Sequence, residues 1–333
     1  MSSYAQSGRA RIVPITGLVC LSVLPPLATM IGEPFLVTLF SRVLIYALAA
    51  VSLDLIVGYG GMVSLGHAAF FGTGAYVVGV LSFHHSEESL VLAWPIALPG
   101  TEHALVAWPL AAAVAAVVAL VIGALSLRTH GVHFIMITLA FAQMLFFLFV
   151  SLEGYGGDDG LSLWSRNSFA GLDLGNDLGF YYVCLGCLVG FVLVCRRLVR
   201  SRFGMLIQAS KYNEKRLRAL GVSTYRYKLV CFVISGAGAG LAGALIANQT
   251  EFVSPSLLHW TRSGEILVMV ILGGMGTLYG PILGAAALLL LEEVFALYTE
   301  HWMLLLGPAL ILVVLFARGG IYGWLVGTDD RRE

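Results

Sequence analysis

Ala104-Leu-Val-Ala-Trp-Pro-Leu-Ala-Ala-Ala-Val-Ala-Ala-Val-Val-Ala-Leu-Val-Ile-Gly-Ala-Leu-Ser-Leu127 contains no Lys, Arg, Asp or Glu. Gly131–Val150 and Ile266–Leu291 share that property. A helix needs about 20 apolar residues to cross the hydrocarbon core of a bilayer, so these runs read as membrane crossings. The rest of the chain agrees. Of its 333 residues, 59% are hydrophobic and only 11% are charged, and the mean hydropathy is +0.89. A soluble domain carries roughly 25% charged residues, which excludes a water-facing fold. The fold class that follows is all-α: a polytopic transmembrane helical bundle forming a single domain over residues 1–333.

Spans are expected roughly at 12–31, 36–57, 62–82, 104–127, 131–150, 178–195, 228–249, 264–276, 281–298 and 302–317. The total is about eight to ten, because Gly-rich segments among them can be broken or re-entrant. Arg9 and Arg11 before the first run imitate a signal peptide, but no small-residue cleavage site closes it and Pro25-Pro26 interrupt it, so a retained span is expected. Basic residues set orientation. The segment 196–228 carries Arg196, Arg197, Arg200, Arg202, Lys211, Lys215, Arg216, Arg218, Arg226 and Lys228 against Glu214 alone, which makes it the cytoplasmic loop. Counting outward puts 83–103 and 151–177 outside, and both are acid-rich; Arg166 is the one basic residue in the second. The same count puts both termini in the cytoplasm.

The 39 glycines crowd three regions. Gly236, Gly238, Gly240 and Gly243 read as small-residue packing along a helix face. The regions around Gly58–Gly79 and Gly273–Gly284 also contain turn-like clusters that break helices, as transporter sites do. Gly60-Gly-Met and Gly273-Gly-Met form a faint internal echo. No phosphate-binding loop is present, so any ATP hydrolysis belongs to another polypeptide. His130 and His133 lack a third metal ligand nearby, no catalytic constellation can be assembled, and nothing points to nucleic acid. The five cysteines all fall in expected spans and read as packing residues. Of the ionisable residues, only Arg42 and His67 are expected deep in the membrane. Asp54 is expected at an interface or helix cap, Glu292 and Glu293 at headgroup level, and Arg262 and Glu265 at a span's start. That arrangement argues against a proton relay.

Within the basic loop, Leu206, Ala209, Asn213, Leu217 and Leu220 share one helical face while Lys211, Glu214, Lys215 and Arg218 lie opposite, and Gly221 supplies a stop. The periodicity predicts one short amphipathic helix, suited either to anionic lipid or to a docking partner.

Four ordered motifs carry a resemblance. Gly58-Tyr-Gly-Gly-Met-Val-Ser-Leu-Gly-His-Ala-Ala-Phe-Phe-Gly-Thr-Gly-Ala-Tyr76 resembles the signature of branched-chain amino acid ABC permeases of the LivM type. Gly156-Gly-Asp-Asp-Gly-Leu161, Asn213-Glu-Lys-Arg-Leu-Arg-Ala-Leu-Gly221 and Leu272-Gly-Gly-Met-Gly-Thr-Leu-Tyr-Gly-Pro-Ile-Leu-Gly-Ala285 resemble, in order, that family's outer loop, its ATPase-docking loop and its late Gly-rich segment. One departure is Lys211-Tyr-Asn-Glu214, where such loops often read Arg-Glu-Asn-Glu.

The resemblance implies a non-enzymatic subunit of a bacterial inner-membrane importer. Its partners would be a second permease, two cytoplasmic ATPases and a periplasmic solute-binding protein, with ATP and magnesium held only by the ATPases and no cofactor in this chain. It favours docking over lipid for the basic loop. The residues expected to matter are Asn213, Glu214, Arg218 and Gly221 for coupling to the ATPase. Gly61, Ser64, Gly66, His67 and Phe71, with Gly273, Gly274 and Gly276 opposite, are expected at the pathway or gate. Gly157, Asp158, Asp159 and Gly160 are expected at the outer loop. Alternatives are a permease of the same family for urea, amides or aromatic acids, an ion-coupled secondary transporter, and a channel or structural subunit.

Overall fold

Inside a bilayer each backbone N–H and C=O must find its partner within the protein, which leaves the helix as the default for an apolar chain. The computed structural model describes residues 9–32, 34–92, 98–169, 174–299, 301, 304–308, 311 and 319–326, and it is overwhelmingly helical. In order the helices are α1 (Arg9–Ile31), α2 (Pro34–Asp54), α3 (His67–Ser86), α4 (Ala104–Ser126), α5 (Val132–Val150), α6 (Asp177–Arg200), α7 (Arg202–Tyr212), α8 (Glu214–Ala219), α9 (Thr224–Thr250), α10 (Trp260–Gly273) and α11 (Gly280–Tyr298), and a short helix spans Gly320–Val326. Two small antiparallel pairs complete it: β1 (Leu90–Leu92) with β2 (Leu98–Pro99), and β3 (Leu161–Ser162) with β4 (Phe252–Val253). The expected span 302–317 and the terminal residues 1–8 and 327–333 fall largely or wholly outside the described residues.

Among the described residues, six helices are long and apolar enough to cross a membrane: α2 with its extension to Tyr59, α4, α5, α6, α9 and α11. Two expected spans take another form. The 62–82 span begins only at His67, because residues 61–66 form an irregular, non-helical stretch before α3. The 264–276 span is the 14-residue α10, preceded by a 3₁₀ turn at Pro255–Leu258. Gly72 packs on Leu258, and Ala68 N–H donates to Ser263 Oγ at 2.8 Å, so this broken segment runs antiparallel to α3.

At the centre lie α2, α3 and α9, with α4 packed on α3 and α9, α6 on α2, and α10 and α11 on α2. The α3–α9 seam explains much of the glycine content. A Cβ at Gly74 would lie 2.0 Å from the Gly240 carbonyl oxygen, and one at Gly243 would lie 1.8 Å from that of Phe71. Gly236 and Gly240 meet Ala119 and Ala115 of α4 in the same way. Small residues let membrane helices approach backbone to backbone, where dispersion and not hydrophobicity holds them.

Two opposed faces result. One carries β3–β4 and the acid-rich loop before α6. The other carries the α4–α5 turn, residues 55–66, the α7–α8 loop and the break after α10, because His130 approaches Glu214, Lys211 reaches Gly58 and Gly276 meets Asp54. These are the acidic and basic faces that the loop charges predict.

Candidate functional site at two glycine breaks

The first break starts where α2 passes into a π-helical turn, Leu55–Tyr59, a distortion that frees backbone groups and recurs at functional sites. Gly61 then reverses the chain at φ +67°, a backbone that β-carbon-bearing residues rarely adopt. The second break, after α10, uses Gly274 and Gly276 at φ +115° and +75°. The two breaks touch. Asp54, buried at the end of α2, accepts the Gly276 N–H at 2.8 Å through Oδ1, and a Cβ on Gly58 would lie 2.3 Å from Gly276 N. Asp54 is therefore buried in protein near the end of its span, and its side chain caps the neighbouring break, not its own helix.

The basic loop is tied to the same point. Lys211 Nζ donates to the Gly58 carbonyl at 2.7 Å, crossing from α7 to the π-turn. The loop is two helices rather than one. Asn213 stops α7 in an extended conformation, and its side chain then accepts from Arg216 N–H at 3.0 Å to cap α8. The expected single stripe is broken as a result: α7 buries Gly204, Ile207 and Ser210, while Leu220 is exposed.

Glu214 is the hub of this loop. Its carboxylate accepts from Arg218 at 2.6 Å, from Thr224 Oγ1 at 2.8 Å and from Lys228 Nζ at 2.6 Å, with His130 Nε2 at 3.5 Å. Burial works against its ionisation, but the hydrogen bonds from Lys228, Thr224 and Arg218 outweigh it and hold the carboxyl down at about 2, against an ordinary 4.5. A depressed carboxylate pKa adds stability that is fully present above the ordinary value and is lost as pH falls through the depressed one. Limited proteolysis of the loop should therefore be unchanged between about pH 8 and pH 5 and should accelerate only on further acidification. Loosening already near neutral pH would contradict the network. Gly221 ends α8 at φ +81°, leaving Tyr212 and Leu220 outermost, 86% and 72% exposed.

Between the first break, the α4–α5 turn and the loop lies a cavity of about 330 Å³, bordered by Gly60–Val63, His130, Lys211, Glu214 and Lys228. Gly61 stands at its edge, and Ser64, Gly66, His67 and Phe71 are buried deeper. Ser64 Oγ accepts from Gly66 N–H, His67 Nε2 lies 2.8 Å from Ser52 Oγ, and Phe71 stacks on Tyr46. Gly66 abuts Thr138 of α5. Across the contact, Gly273 packs on Gly280 and Gly274 on Gly319.

On the acidic face, Gly157 and Gly160 adopt positive φ and present Asp158 and Asp159 to solvent. Arg166 anchors that loop, pairing with Asp177 at 2.8 Å and Glu251 at 3.2 Å and lying over the Phe180 ring. Its standing as the lone basic residue in an acidic loop was the available signal. The partners of Lys211, Thr224, Lys228 and His130 carried none, because those contacts join residues distant in sequence.

A bundle of apolar helices with paired interior breaks defines a multi-pass membrane protein. The chain belongs to the family described as branched-chain amino acid transport system / permease component, matched over residues 35–315. It is 29% identical to the high-affinity branched-chain amino acid transport system permease protein LivM of Escherichia coli (strain K12), over 89% of this chain and 73% of that one. Shorter matches are to the L-arabinose ABC transporter permease protein AraH of Azospirillum brasilense (28% identical; 46% of this chain, 47% of that one) and to LivH of Escherichia coli (strain K12), a high-affinity branched-chain amino acid transport system permease protein (30% identical; 37% and 40%). No solved structure matches the chain.

Proposed function

We propose that this chain is a pathway-forming subunit of an ATP-driven importer of branched-chain amino acids in a bacterial inner membrane. It would work with a second permease, two cytoplasmic ATPases and a periplasmic solute-binding protein. The observation that carries the mechanism is the direct tie between the basic loop and both glycine breaks through Lys211, Gly58, Asp54 and Gly276. The similarity to LivM, over 89% of this chain and 73% of that one, supports the cargo class.

On this reading the ATPase grips the outward side of α7–α8, where Tyr212 and Leu220 stand exposed. Asn213, Glu214, Arg218 and Gly221 act within the loop: Asn213 and Gly221 set its turns, and Glu214 and Arg218 lock α8 onto the start of α9. Closure of the ATPases moves the loop as a unit, and Lys211 conveys that movement to the break at Gly58. Gly61, Ser64, Gly66, His67 and Phe71 with Gly273, Gly274 and Gly276 then change packing to gate the pathway. Asp158 and Asp159, held out by Gly157 and Gly160, meet the solute-binding protein. The chain makes and breaks no covalent bond; ATP and the loaded binding protein each favour one arrangement and so shift the population between two.

Purification in mild detergent should recover both ATPase and a second permease, and the complex in proteoliposomes should take up leucine only with ATP. A preparation lacking any ATPase would reject the reading in favour of ion-coupled transport. Orientation is tested separately. A cysteine replacing Asp159 should react with an impermeant thiol reagent in intact cells, and one replacing Lys215 only after permeabilisation; the reverse pattern would invert the topology.

A further inference from the structure

Tyr46 lies twelve residues after Pro34 and thirteen before Tyr59 in the α2 span, or about 18 and 20 Å from its two ends at ~1.5 Å rise per residue. It therefore stands at the middle of that span. Arg262 Nη1 sits 3.5 Å from the Tyr46 hydroxyl, because α10 begins at depth behind its 3₁₀ turn. Arg262 stands at the start of α10, as the sequence predicts, but that start lies at the depth of Tyr46. Arg42, one turn away on α2, lies over the Tyr46 ring and faces Glu292 of α11 at 3.9 Å, while Arg262 pairs with Glu265 at 2.8 Å.

These four side chains stay open to one flank of the bundle, with exposures of 38% for Arg42, 28% for Glu292, 29% for Arg262 and 45% for Glu265. Hydrocarbon does not tolerate partly exposed charges at mid-depth; such residues face a watery cavity or a protein partner. Their pairing is also incomplete. The Arg42–Glu292 separation is at the outer limit of an ion pair, and both guanidinium groups retain free donors in the planar fork that suits a carboxylate.

We propose that the α2–α10–α11 flank is a wall of the substrate passage, and that Arg42 and Arg262 receive the carboxylate, and Glu265 and Glu292 the ammonium, of a zwitterionic amino acid in transit. The assignment rests on the importer reading for its cargo, though not for its aqueous wall. Two cations and two carboxylates staggered across three helices offer each charged end of an amino acid an opposite charge, so the cargo need not shed its charges to cross. An uncharged sugar or amide would have no use for this set.

With the native cysteines replaced, Arg262→Cys and Glu265→Cys in the purified complex should react with a charged, water-soluble thiol reagent, whereas Val117→Cys on the exposed face of α4 should not. No reaction at either position overturns the passage wall whatever the cargo proves to be. In proteoliposomes, Arg262→Gln and Glu265→Gln should each lower leucine uptake at least tenfold, with the complex recovered in full yield. Normal uptake, or loss of the second permease from the complex, overturns the assignment, the latter in favour of a subunit contact. The double exchange Arg262→Glu with Glu265→Arg should keep full yield without restoring uptake; restored uptake would reduce the pair to a structural one. Failure of the wild-type complex to show ATP-driven uptake rejects the importer alone, since the labelling still decides the wall.

Discussion

Glu214→Ala should leave the protein inserted and recoverable yet lower ATP-driven uptake at least about tenfold. The substitution strips the acceptor from Lys228, whose side chain is only 13% exposed, and releases Arg218 and Thr224 together. Breaking a fully buried pair by removing one partner costs about 3–5 kcal/mol, and exposed pairs are worth about 1 or less. This partly buried hub falls between, about 1–3 kcal/mol, enough to free α8 from α9 without unfolding a bundle held elsewhere. Glu214→Gln, which keeps an acceptor for Thr224 but loses the charge facing Lys228, should retain more uptake. Paired uptake and ATPase assays make the check: ATP hydrolysis continuing while uptake fails is the expected signature, and undiminished uptake would separate this network from coupling.

Gly74→Val should have the larger effect on the fold itself. Its side chain has nowhere to go, since a Cβ alone would sit 2.0 Å from the Gly240 carbonyl oxygen, and the reciprocal contact at Gly243 is tighter still. These are backbone neighbours on two central helices, so relief requires α3 and α9 to separate along their length. Overpacking typically costs about 1–3 kcal/mol where side chains yield, and here they do not. The expected result is loss of the monodisperse peak in detergent chromatography, or a melting temperature lower by about 10 °C, at ~2–4 °C per kcal/mol. Gly186→Val, on an open and exposed stretch of α6, has nothing within 4 Å and should be nearly neutral. Equal tolerance at both sites would refute backbone-level packing at the seam.

Whatever depends on local chemistry could be read in advance. Runs without charge at 104–127 and 131–150 became α4 and α5 to within a residue or so, because in lipid an apolar segment has one way to satisfy its backbone. Loop charges separated the two faces for the same kind of reason. Helical periodicity misled in the basic loop, because Asn213 has a side chain able to cap a new helix and the apolar stripe does not register that. Hydropathy placed Arg262 at the start of its helix correctly, but not the depth of that start. It could not register that the preceding turn at Pro255–Leu258 folds into the bundle and carries the start of α10 down with it. The glycine clusters announced breaks but not their mutual contact, which joins residues more than 200 positions apart.

One of the most deeply buried helices is also poorly equipped to enter a membrane alone. α3 carries His67, Thr73 and three glycines, and it does not rank among the six strongly apolar helices. Yet its residues from His67 to Tyr76 are all buried, chiefly by α9, which lies far downstream in the chain. Lipid offers α3 little while α9 offers it a fitted groove, so during synthesis its stable partition into the bilayer waits for α9 to emerge. Biogenesis of this protein then has a late, cooperative step, and a chain truncated before α9 should leave α3 accessible to protease at the membrane surface.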